Sequence, residues 1–249
     1  MAQMRAETIN VNSLSICEIG RMFSLYSAYF EATSEAIFRA DLAEKDYVIL
    51  LRDASGEIKG FSTGAILDFP SGEIRARAIF SGDTIIHHEN WGEQTLPLAF
   101  AEQAGRVKAQ RPEEPLYWFL ISKGYRTYRY LSLFFHDYVP RWDLAAPKQQ
   151  QALLDVLAQG KFGSAYDRRT GVIRYPASRG QLRGVWADVR ETMARKPEVC
   201  FFLQMNPGYR NGDELACLAE LSAENIRPIA RRAFIESFNG EVAHPTPAS

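Results

Sequence analysis

The spacing of apolar residues predicts two helices and then a strand hairpin in the first third of the chain. From Ser13 to Phe30, apolar side chains recur every three or four positions, which places them on one face of a helix. A shorter helix is predicted around Ser34 to Leu42. The stretch DYVILLRDASGEIKGFSTGAIL then holds two apolar runs on either side of Asp-Ala-Ser-Gly, a pattern typical of a β-hairpin.

A strand, a loop and a helix are predicted around the sequence GDTIIHHENWGEQTLPLAF. The runs RARAIF and DTIIHH flank Ser81 and Gly82, so they form either a second hairpin or one long strand that bends at the glycine. Beyond the loop, apolar residues from Leu96 to Val107 share one face of a helix. The segment RPEEP ends this helix before a further strand, LYWFLIS.

The second half of the chain is predicted to extend this core. The segment KGYRTYRYLSLFFHDYVPRW is apolar on all sides of a helix, so it is expected to be buried or to line a cavity. Further helices are predicted in PKQQQALLDVLAQ, in GQLRGVWADVRETMAR and from Asp213 to about Arg232, with a strand in EVCFFLQMN. We expect a core at 1–145, an extension packed on it at 146–239 and a disordered tail at 240–249.

The composition limits the classes of partner and the compartment. With 29 Lys+Arg against 30 Asp+Glu, the overall charge gives no reason to expect nucleic acid or a membrane as a partner. Cys17, Cys200 and Cys217 are widely spaced among apolar neighbours, so we expect reduced core residues. The N-terminus lacks the apolar segment of a signal peptide, and no apolar run approaches the ~20 residues of a spanning helix. A cytoplasmic protein is therefore expected.

Three stretches of this chain together resemble the GNAT family of acyltransferases. They are YVILLRDASGEIKGFSTGAIL, GDTIIHHENWGEQTLPLAFAEQA and LYWFLISKGYRTYRYL, and the likeness covers roughly half of the chain, from about Ile16 to Trp142. The resemblance implies a mixed α/β (α+β) fold, in which a mostly antiparallel twisted sheet is flanked by helices. Here a C-terminal extension of helices and a strand would be added to it.

In this family, the loop before the central helix binds the diphosphate of coenzyme A at the helix N-terminus. The family's loop has several glycines and a basic residue, whereas this chain has one glycine and two carboxylates, Glu89 and Glu93. Thr95 is a plausible N-cap, with Pro97 in the first helical turn. The segment ENWGEQT is thus either a divergent donor site or simply a capped loop. The residues that we assign to donor binding are Asn90, Trp91, Gly92, Gln94, Thr95 and Tyr125.

The weak phosphate loop suggests an acyl carrier protein as the donor, because a carrier presents the same pantetheine arm with a single phosphate on an acidic surface. Some GNAT-like enzymes take acyl groups from such carriers. A basic docking face would then be needed, and the alternative is that the basic residues are ordinary solvated charges. The candidate cations are Arg106, Lys108, Arg111, Lys123, Arg126, Arg129 and Arg141.

The resemblance also indicates where an acid and a base would lie. His87 and His88 end the strand that enters the loop, where the family often has its base, and histidine titrates near neutral pH. Strand alternation would send the two rings to opposite faces. The family often uses a tyrosine after the splayed strand as the acid, and we assign this role to Tyr128, which shares a helical face with Tyr125. Two adjacent histidines without further ligands predict no metal site.

From these features we predict an acyltransferase that moves an acyl group from a pantetheine thioester, on an acyl carrier protein or coenzyme A, to a small-molecule amine. No cofactor would be bound permanently, because acyl-CoA or acyl-phosphopantetheine would serve as a cosubstrate. A catalytically silent GNAT-like binding module is the alternative. The pattern leaves the acceptor, the acyl chain and the oligomeric state open.

Overall fold

A computed structural model describes residues 4–71 and 74–243 of the chain. Its helices are α1 (Ile16–Tyr29), α2 (Glu35–Leu42), α3 (Thr95–Gln110), α4 (Tyr125–Phe134), α5 (Lys148–Phe162), α6 (Gly184–Ala187), α7 (Glu191–Ala194), α8 (Pro197–Met205) and α9 (Pro228–Ala243). Its strands are β1 (Arg5–Asn10), β2 (Phe30–Glu31), β3 (Tyr47–Arg52), β4 (Ile58–Ser71), β5 (Ile74–Ile86), β6 (Leu116–Ser122), β7 (Tyr166–Asp167), β8 (Val172–Ile173), β9 (Gln181–Leu182) and β10 (Glu214–Glu220).

The described residues form two compact units. Unit 1 draws on residues 4–25, 39–71, 74–118 and 220–243, and unit 2 on Tyr26–Phe38 and Phe119–Ala219. The units are therefore not divided at residue 145, where the sequence placed the end of the core. Unit 1 holds the antiparallel order β1-β3-β4-β5. In unit 2, β10, β8 and β7 pair antiparallel in that order, and β2 pairs with β9.

The predicted fold class is confirmed, because the strands pair mostly antiparallel and helices flank them. The predicted order of a helix pair, a strand meander, a loop, a helix and a strand is also confirmed from α1 to β6. Among the described residues, no helix combines the length and the apolar character that a membrane crossing needs.

Local sequence accounts for the start of the chain. Ser15 and Glu18 form a capping box at α1, since each side chain accepts a hydrogen bond from the other residue's backbone N–H. Between β3 and β4, the Asp53 carboxylate accepts hydrogen bonds from the N–H groups of Ser55 and Glu57. Gly56 completes this turn at a φ of +86°. The Asp-Ala-Ser-Gly turn is the signal that predicted the hairpin, whereas α1 was predicted from the spacing of its apolar residues and the capping box adds a local reason for its start.

Unit 1 buries α3 between the sheet and α9. Arg77 of β5 is buried, and its guanidinium donates to the carbonyl oxygens of Val107 and Arg111 at 2.9 and 3.3 Å, at the C-terminal end of α3. On the other side, a Cβ on Gly105 would lie 2.3 Å from the carbonyl oxygen of Phe234 in α9. The close approach of α3 and α9 therefore depends on this glycine.

Two sequence predictions in the last third of the chain were wrong about the element type. The apolar run in EVCFFLQMN forms α8 rather than a strand, because Pro197 occupies its first turn and Val199 and Phe202 bury one helical face. The segment ELACLAE consists of good helix formers apart from Cys217 but forms β10. Its first six residues are buried, so packing outweighs helical propensity.

Other boundaries also differ from the prediction. The segment GQLRGVWADVRETMAR is divided into β9, α6 and α7, and β1 was missed because it is short and partly polar. The runs around Gly82 form one long strand, β5, which was one of the two alternatives. The predicted tail at 240–249 starts too early, since α9 continues to Ala243, and residues 244–249 lie outside the described residues.

The cysteine prediction was correct for one residue only. Cys217 is buried in β10, and burial raises the pKa of its thiol. Cys17 and Cys200 are exposed, because each lies on the outward face of its helix, α1 and α8.

Candidate active site

The end of β5 fixes the position of His87. The strand ends at Ile86, and the His87 N–H donates to the carbonyl oxygen of Lys59 at 2.8 Å. A single 3₁₀ turn, His88–Asn90, follows directly. The His87 side chain is 28% exposed, so it is partly shielded but within reach of a solute.

The two histidine rings do not point to opposite faces, and that prediction was wrong. Their centroids lie 4.5 Å apart with an interplanar angle of 33°. Alternation of side chains requires a continuing strand, whereas both histidines follow the last residue of β5. His88 is exposed, and its ring meets Trp91 edge to face at 6.4 Å.

The surroundings of His87 favour the neutral imidazole. Burial lowers the pKa of His87, and the neighbouring His88 lowers it further. The Glu89 carboxylate lies 3.6 Å from Nδ1, which is beyond hydrogen-bond distance, and it opposes the shift only in part. Nδ1 is buried and has no hydrogen-bond partner within the described residues. The nearby carboxylate charge favours a proton on Nδ1, which leaves the lone pair of Nε2 as the basic position.

The loop after His88 is held by short-range backbone hydrogen bonds and by two side-chain hydrogen bonds. The Trp91 indole N–H donates to the carbonyl oxygen of Ile86 at 2.8 Å, and 39% of the residue remains exposed. The Asn90 amide donates to the Glu93 carboxylate at 3.3 Å. Trp91 is thus a rigidly held, half-exposed aromatic ring beside His88.

Gly92 lets the chain turn from this loop into α3. Its φ is +97°, a region that glycine occupies without strain, and a Cβ at this position would meet nothing within 4 Å. The glycine is therefore required by backbone conformation and not by crowding. It leaves an open surface directly before the helix.

The first turn of α3 has no capping side chain. Gln94, not Thr95 as predicted, is the N-cap residue, and its side chain makes no capping hydrogen bond. An uncapped helix start attracts an anion through its free N–H groups and the helix dipole. However, Pro97 lacks an N–H, and Glu89 and Glu93 add negative charge nearby, so the loop suits one phosphate better than a diphosphate.

Tyr128 lies in unit 2, and its environment argues against its assignment as the acid. The side chain is fully buried, and its hydroxyl donates to the carbonyl oxygen of Pro140 at 2.9 Å. Burial also raises the pKa of Tyr128 well above its usual value. Aromatic contacts with Phe201 and Phe202 complete its surroundings. Tyr128 is a core residue, because the face of α4 that it shares with Tyr125 is turned inward.

Tyr125 and Tyr130 occupy different settings on α4. Tyr125 is buried, and the Arg126 guanidinium lies 4.9 Å from its ring centroid. The donor-binding role of Tyr125 stays a prediction. Tyr130 stacks on Phe134 at 5.8 Å, and burial raises its pKa.

Sequence reasoning missed a polar cluster at an irregularity of the β4–β5 ladder in unit 1. The register shifts between Ser62 and Gly64, where two residues of β5 oppose Thr63 alone. A Cβ on Gly82 would lie 2.7 Å from Cε of Lys45 and 2.9 Å from Oγ1 of Thr63, and both side chains are buried. The signal was available in the sequence, because a glycine within a strand often marks a bulge.

Most of the cations predicted to dock a carrier have partners inside the chain. Lys123 and Arg129 form ion pairs with Glu214 and Glu198, and Arg126 donates to the carbonyl oxygen of Trp186. The remaining pairs are Lys108 with the Glu114 carbonyl oxygen, Arg111 with Asp68, and Arg141 with Asp143. Arg106 is exposed and makes no hydrogen bond or ion pair with the described residues.

No protein-family model matches this sequence, and the comparison with curated proteins gave no match. Among solved structures, an Enterococcus faecalis protein described as a probable N-acyltransferase matches with a TM-score of 0.39 and 15% identity, over 53% of this chain and 33% of its own. Escherichia coli ElaA matches with a TM-score of 0.36 and 14% identity, over 59% of this chain and 94% of its own.

A third structure is the Escherichia coli GNAT family N-acetyltransferase YhbS in complex with CoA. It matches with a TM-score of 0.36 and 12% identity, over 54% of this chain and 71% of its own. The aligned region spans about a third of the Enterococcus protein. Likeness at this level does not assign an activity, a ligand or a partner to this chain.

Proposed function

We propose that this protein transfers an acyl group from a pantetheine thioester to an amine. The observation that carries the proposal is the end of β5, where a neutral, partly shielded His87 precedes a glycine turn and an uncapped helix start. The candidate base, His87, and the helix start that would attract an anion are thus parts of one continuous segment. The order of elements from α1 to β6 adds to it, because it resembles the GNAT acyltransferases.

The reaction needs few groups from the protein. His87 takes a proton from the acceptor ammonium, and the free amine nitrogen then attacks the carbonyl carbon of the thioester. A C–N bond forms and the C–S bond breaks, so the electron pair leaves on sulfur, and the departing thiolate takes up the second proton that the nitrogen loses as the amide forms. A thiol is a far stronger acid than an alcohol, with a pKa of about 8.5 for the cysteine side chain, so the thiolate leaves without a strong positioned acid. The role that was assigned to Tyr128 can therefore remain unfilled.

The loop supplies the donor end of this proposal. The N-terminal end of α3 attracts a phosphate of acyl-CoA or of acyl-phosphopantetheine, and Gly92 keeps the approach open. Asn90, Trp91, Gln94 and Thr95 line the same turn. No permanently bound cofactor is part of the proposal.

We expect that Gly92→Ala weakens donor binding by about tenfold, because a side chain at φ of +97° forces the loop to change its backbone conformation. Gly56→Ala is the matched control, since Gly56 has a φ of +86° and also nothing within 4 Å of its Cβ position. It lies in the β3–β4 turn and should bind donor normally. Calorimetric titration with acyl-CoA measures both. Equal affinities would place the donor elsewhere.

A carrier protein as donor remains a proposal that now depends chiefly on Arg106. We expect Arg106→Glu to slow transfer from an acyl carrier severalfold and to leave transfer from acyl-CoA unchanged, since only the carrier has an acidic surface. The effect should shrink at high salt, as the Debye length falls from about 10 Å at 0.1 M to about 3 Å at 1 M. Arg190→Glu, at another exposed arginine, is the control. Equal loss with both donors would contradict carrier docking.

A binding module without catalysis is the second candidate, and the loop favours it, because this loop has one glycine and two carboxylates, Glu89 and Glu93, where the family has several glycines and a basic residue. Incubation with acyl-CoA, acyl carrier protein and pooled amines, followed by mass spectrometry for amide products, separates the two. Product detection is preferable to a thiol reagent, because Cys17 and Cys200 are exposed and would react. Amide formation that His87→Gln abolishes supports transfer, whereas binding without any product supports the module.

A further inference from the structure

A shielded ion pair lies at the end of β6 in unit 2. Lys123 follows the last residue of β6, and Glu214 is the first residue of β10. Nζ of Lys123 lies 3.4 Å from Oε1 of Glu214, and the two side chains are 13% and 7% exposed. Because removing two charges from water costs about as much as their attraction returns, such a pair adds little net stability. A role in binding would account for two charges at this position.

A buried amide accompanies this ion pair. Asn206 is fully buried, and its amide nitrogen donates to the carbonyl oxygens of Asp213 and Ser122 at 2.8 and 3.4 Å. These two residues directly precede Glu214 and Lys123. The Asn206 Oδ1 atom is buried and has no hydrogen-bond partner in the described part of the chain. A buried amide oxygen without a donor is unfavourable, so a ligand N–H at this place would be stabilised.

The ion pair has an aromatic cover. Nζ of Lys123 lies 5.5 Å from the centroid of the Phe30 ring, and the other side of this contact is closed by Tyr26, which stacks on Phe30 at 4.6 Å. Phe30 belongs to β2, which pairs with β9 through two residues only. Access to Lys123 from this side therefore depends on the β2–β9 pair.

The connection between α1 and α2 is held by hydrogen bonds in a strained backbone conformation. We refer to Phe30–Thr33 together with Ser178–Leu182 as the latch. Ser178 Oγ donates to the Ala32 carbonyl oxygen at 3.1 Å, and Ala32 has a φ of +53°, the one positive value of a non-glycine residue among those described. A side chain in this region is strained, and such strain often marks a segment with two conformations. Opening of the latch would release it.

We propose that Lys123 and Glu214 bind the acceptor and that the latch opens to admit it. This acceptor carries an ammonium and a carboxylate on one carbon, as an α-amino acid does. The carboxylate of the acceptor would contact Lys123, and the ammonium of the acceptor would contact Glu214, beside the existing ion pair. A plain amine would bring a second cation beside Lys123, and a plain carboxylate a second anion beside Glu214. The charge pattern therefore selects a molecule with both groups.

This inference rests on the proposed function only in calling the bound amino acid the acceptor of the acyl group. Binding of the amino acid is therefore measured without any acyl donor. The twenty amino acids are screened by thermal shift, and the best one is titrated by calorimetry beside its primary amide and its N-acetyl derivative. We expect the amino acid to bind at least tenfold more tightly than either derivative, each of which lacks one charge. Absence of binding by any amino acid, or equal affinity for all three compounds, overturns the inference.

The double variant Lys123→Met with Glu214→Gln tests the ion pair itself. It removes both charges at similar side-chain length, so neither partner is left as an unpaired buried charge. We expect at least tenfold weaker binding. The control is Arg129→Met with Glu198→Gln, another ion pair of unit 2 at 3.2 Å, which should leave the affinity unchanged. Equal effects of the two double variants would contradict the assignment.

The latch is tested without altering the charges. Ala32→Gly removes the strain of the closed form, so it should favour closure and weaken binding by about fivefold, which corresponds to roughly 1 kcal/mol. Hydrogen exchange at 178–182 should change when the amino acid binds. If Ala32→Gly leaves the affinity unchanged and exchange does not respond, the latch has no part in binding.

Failure of this inference and failure of acyl transfer give different results. An amino acid that binds at Lys123 and Glu214 but is never acylated would support the proposed binding site and refute the proposed acyl transfer. Acylation of an amino acid and its amide at equal rates would support the transfer and refute this acceptor site.

Discussion

Replacing Gly105 with alanine is expected to lower the free energy of unfolding by about 2–3 kcal/mol. Gly105 lies in α3, and an added Cβ would be 2.3 Å from the Phe234 carbonyl oxygen and 3.0 Å from the Phe238 backbone nitrogen. Backbone atoms of α9 cannot move aside as a flexible side chain can, so the two helices would have to separate. The gain in helical propensity, about 1 kcal/mol for glycine to alanine, is too small to compensate.

Gly160→Ala is the control for this prediction. Gly160 lies in α5, is exposed, and has nothing within 4 Å of its Cβ position. The same chemical change should therefore be neutral or stabilising by up to about 1 kcal/mol. Urea unfolding of both variants measures the difference. Similar stabilities would mean that α3 and α9 approach less closely than the structure describes.

The His87→Gln variant is expected to reduce kcat/KM about a hundredfold at pH 7. The pKa of His87 is lowered from its usual value near 6.5, chiefly by burial. A base is active when it has lost its proton, so the rate should be level around pH 7–8 and should fall as the pH decreases through this lowered pKa. In the variant, this acidic limb should disappear. The deficit should shrink at high pH, where the acceptor amine is already deprotonated.

The neighbouring His88 provides the matched control, because its ring lies 4.5 Å away and is exposed. His88→Gln should keep both the rate and the acidic limb close to those of the unaltered protein. A rate profile against pH with one acyl donor and one amine measures all three proteins. A loss in His87→Gln that is the same at every pH would indicate damaged packing and would refute the role as base.

The sequence located the strand, loop and helix around Gly92 but not the details that decide their chemistry. The apolar periodicity and the glycine predicted that a strand, a loop and a helix follow one another here, but the strand was predicted to end at His88, and β5 ends at Ile86. The contact between the rings of His87 and His88 could not be derived from the sequence, because it depends on the residue at which β5 stops pairing with β4. The same limit applies to Tyr128, whose burial depends on Phe201 and Phe202, more than seventy residues later in the chain.

The second half of the chain shows where local signals fail. In ELACLAE, every residue except Cys217 favours a helix, yet burial of the first six residues makes a strand more stable. Because this segment was assigned to a helix, Glu214 could not be placed beside Lys123. The ion pairs of the candidate docking cations were out of reach for a related reason, since their partners, such as Glu198 for Arg129, are distant in sequence.

The sequence alone determined the fold class, the order of elements from α1 to β6 and the glycine turn before α3, because periodicity, capping and turn chemistry act over a few residues. The tertiary structure decided which charged and aromatic groups meet: His87 with His88, Lys123 with Glu214, and Gly105 with Phe234. The last two contacts join residues from separate elements, the first depends on where β5 ends, and the energies of all three depend on burial and distance, which a linear pattern does not contain.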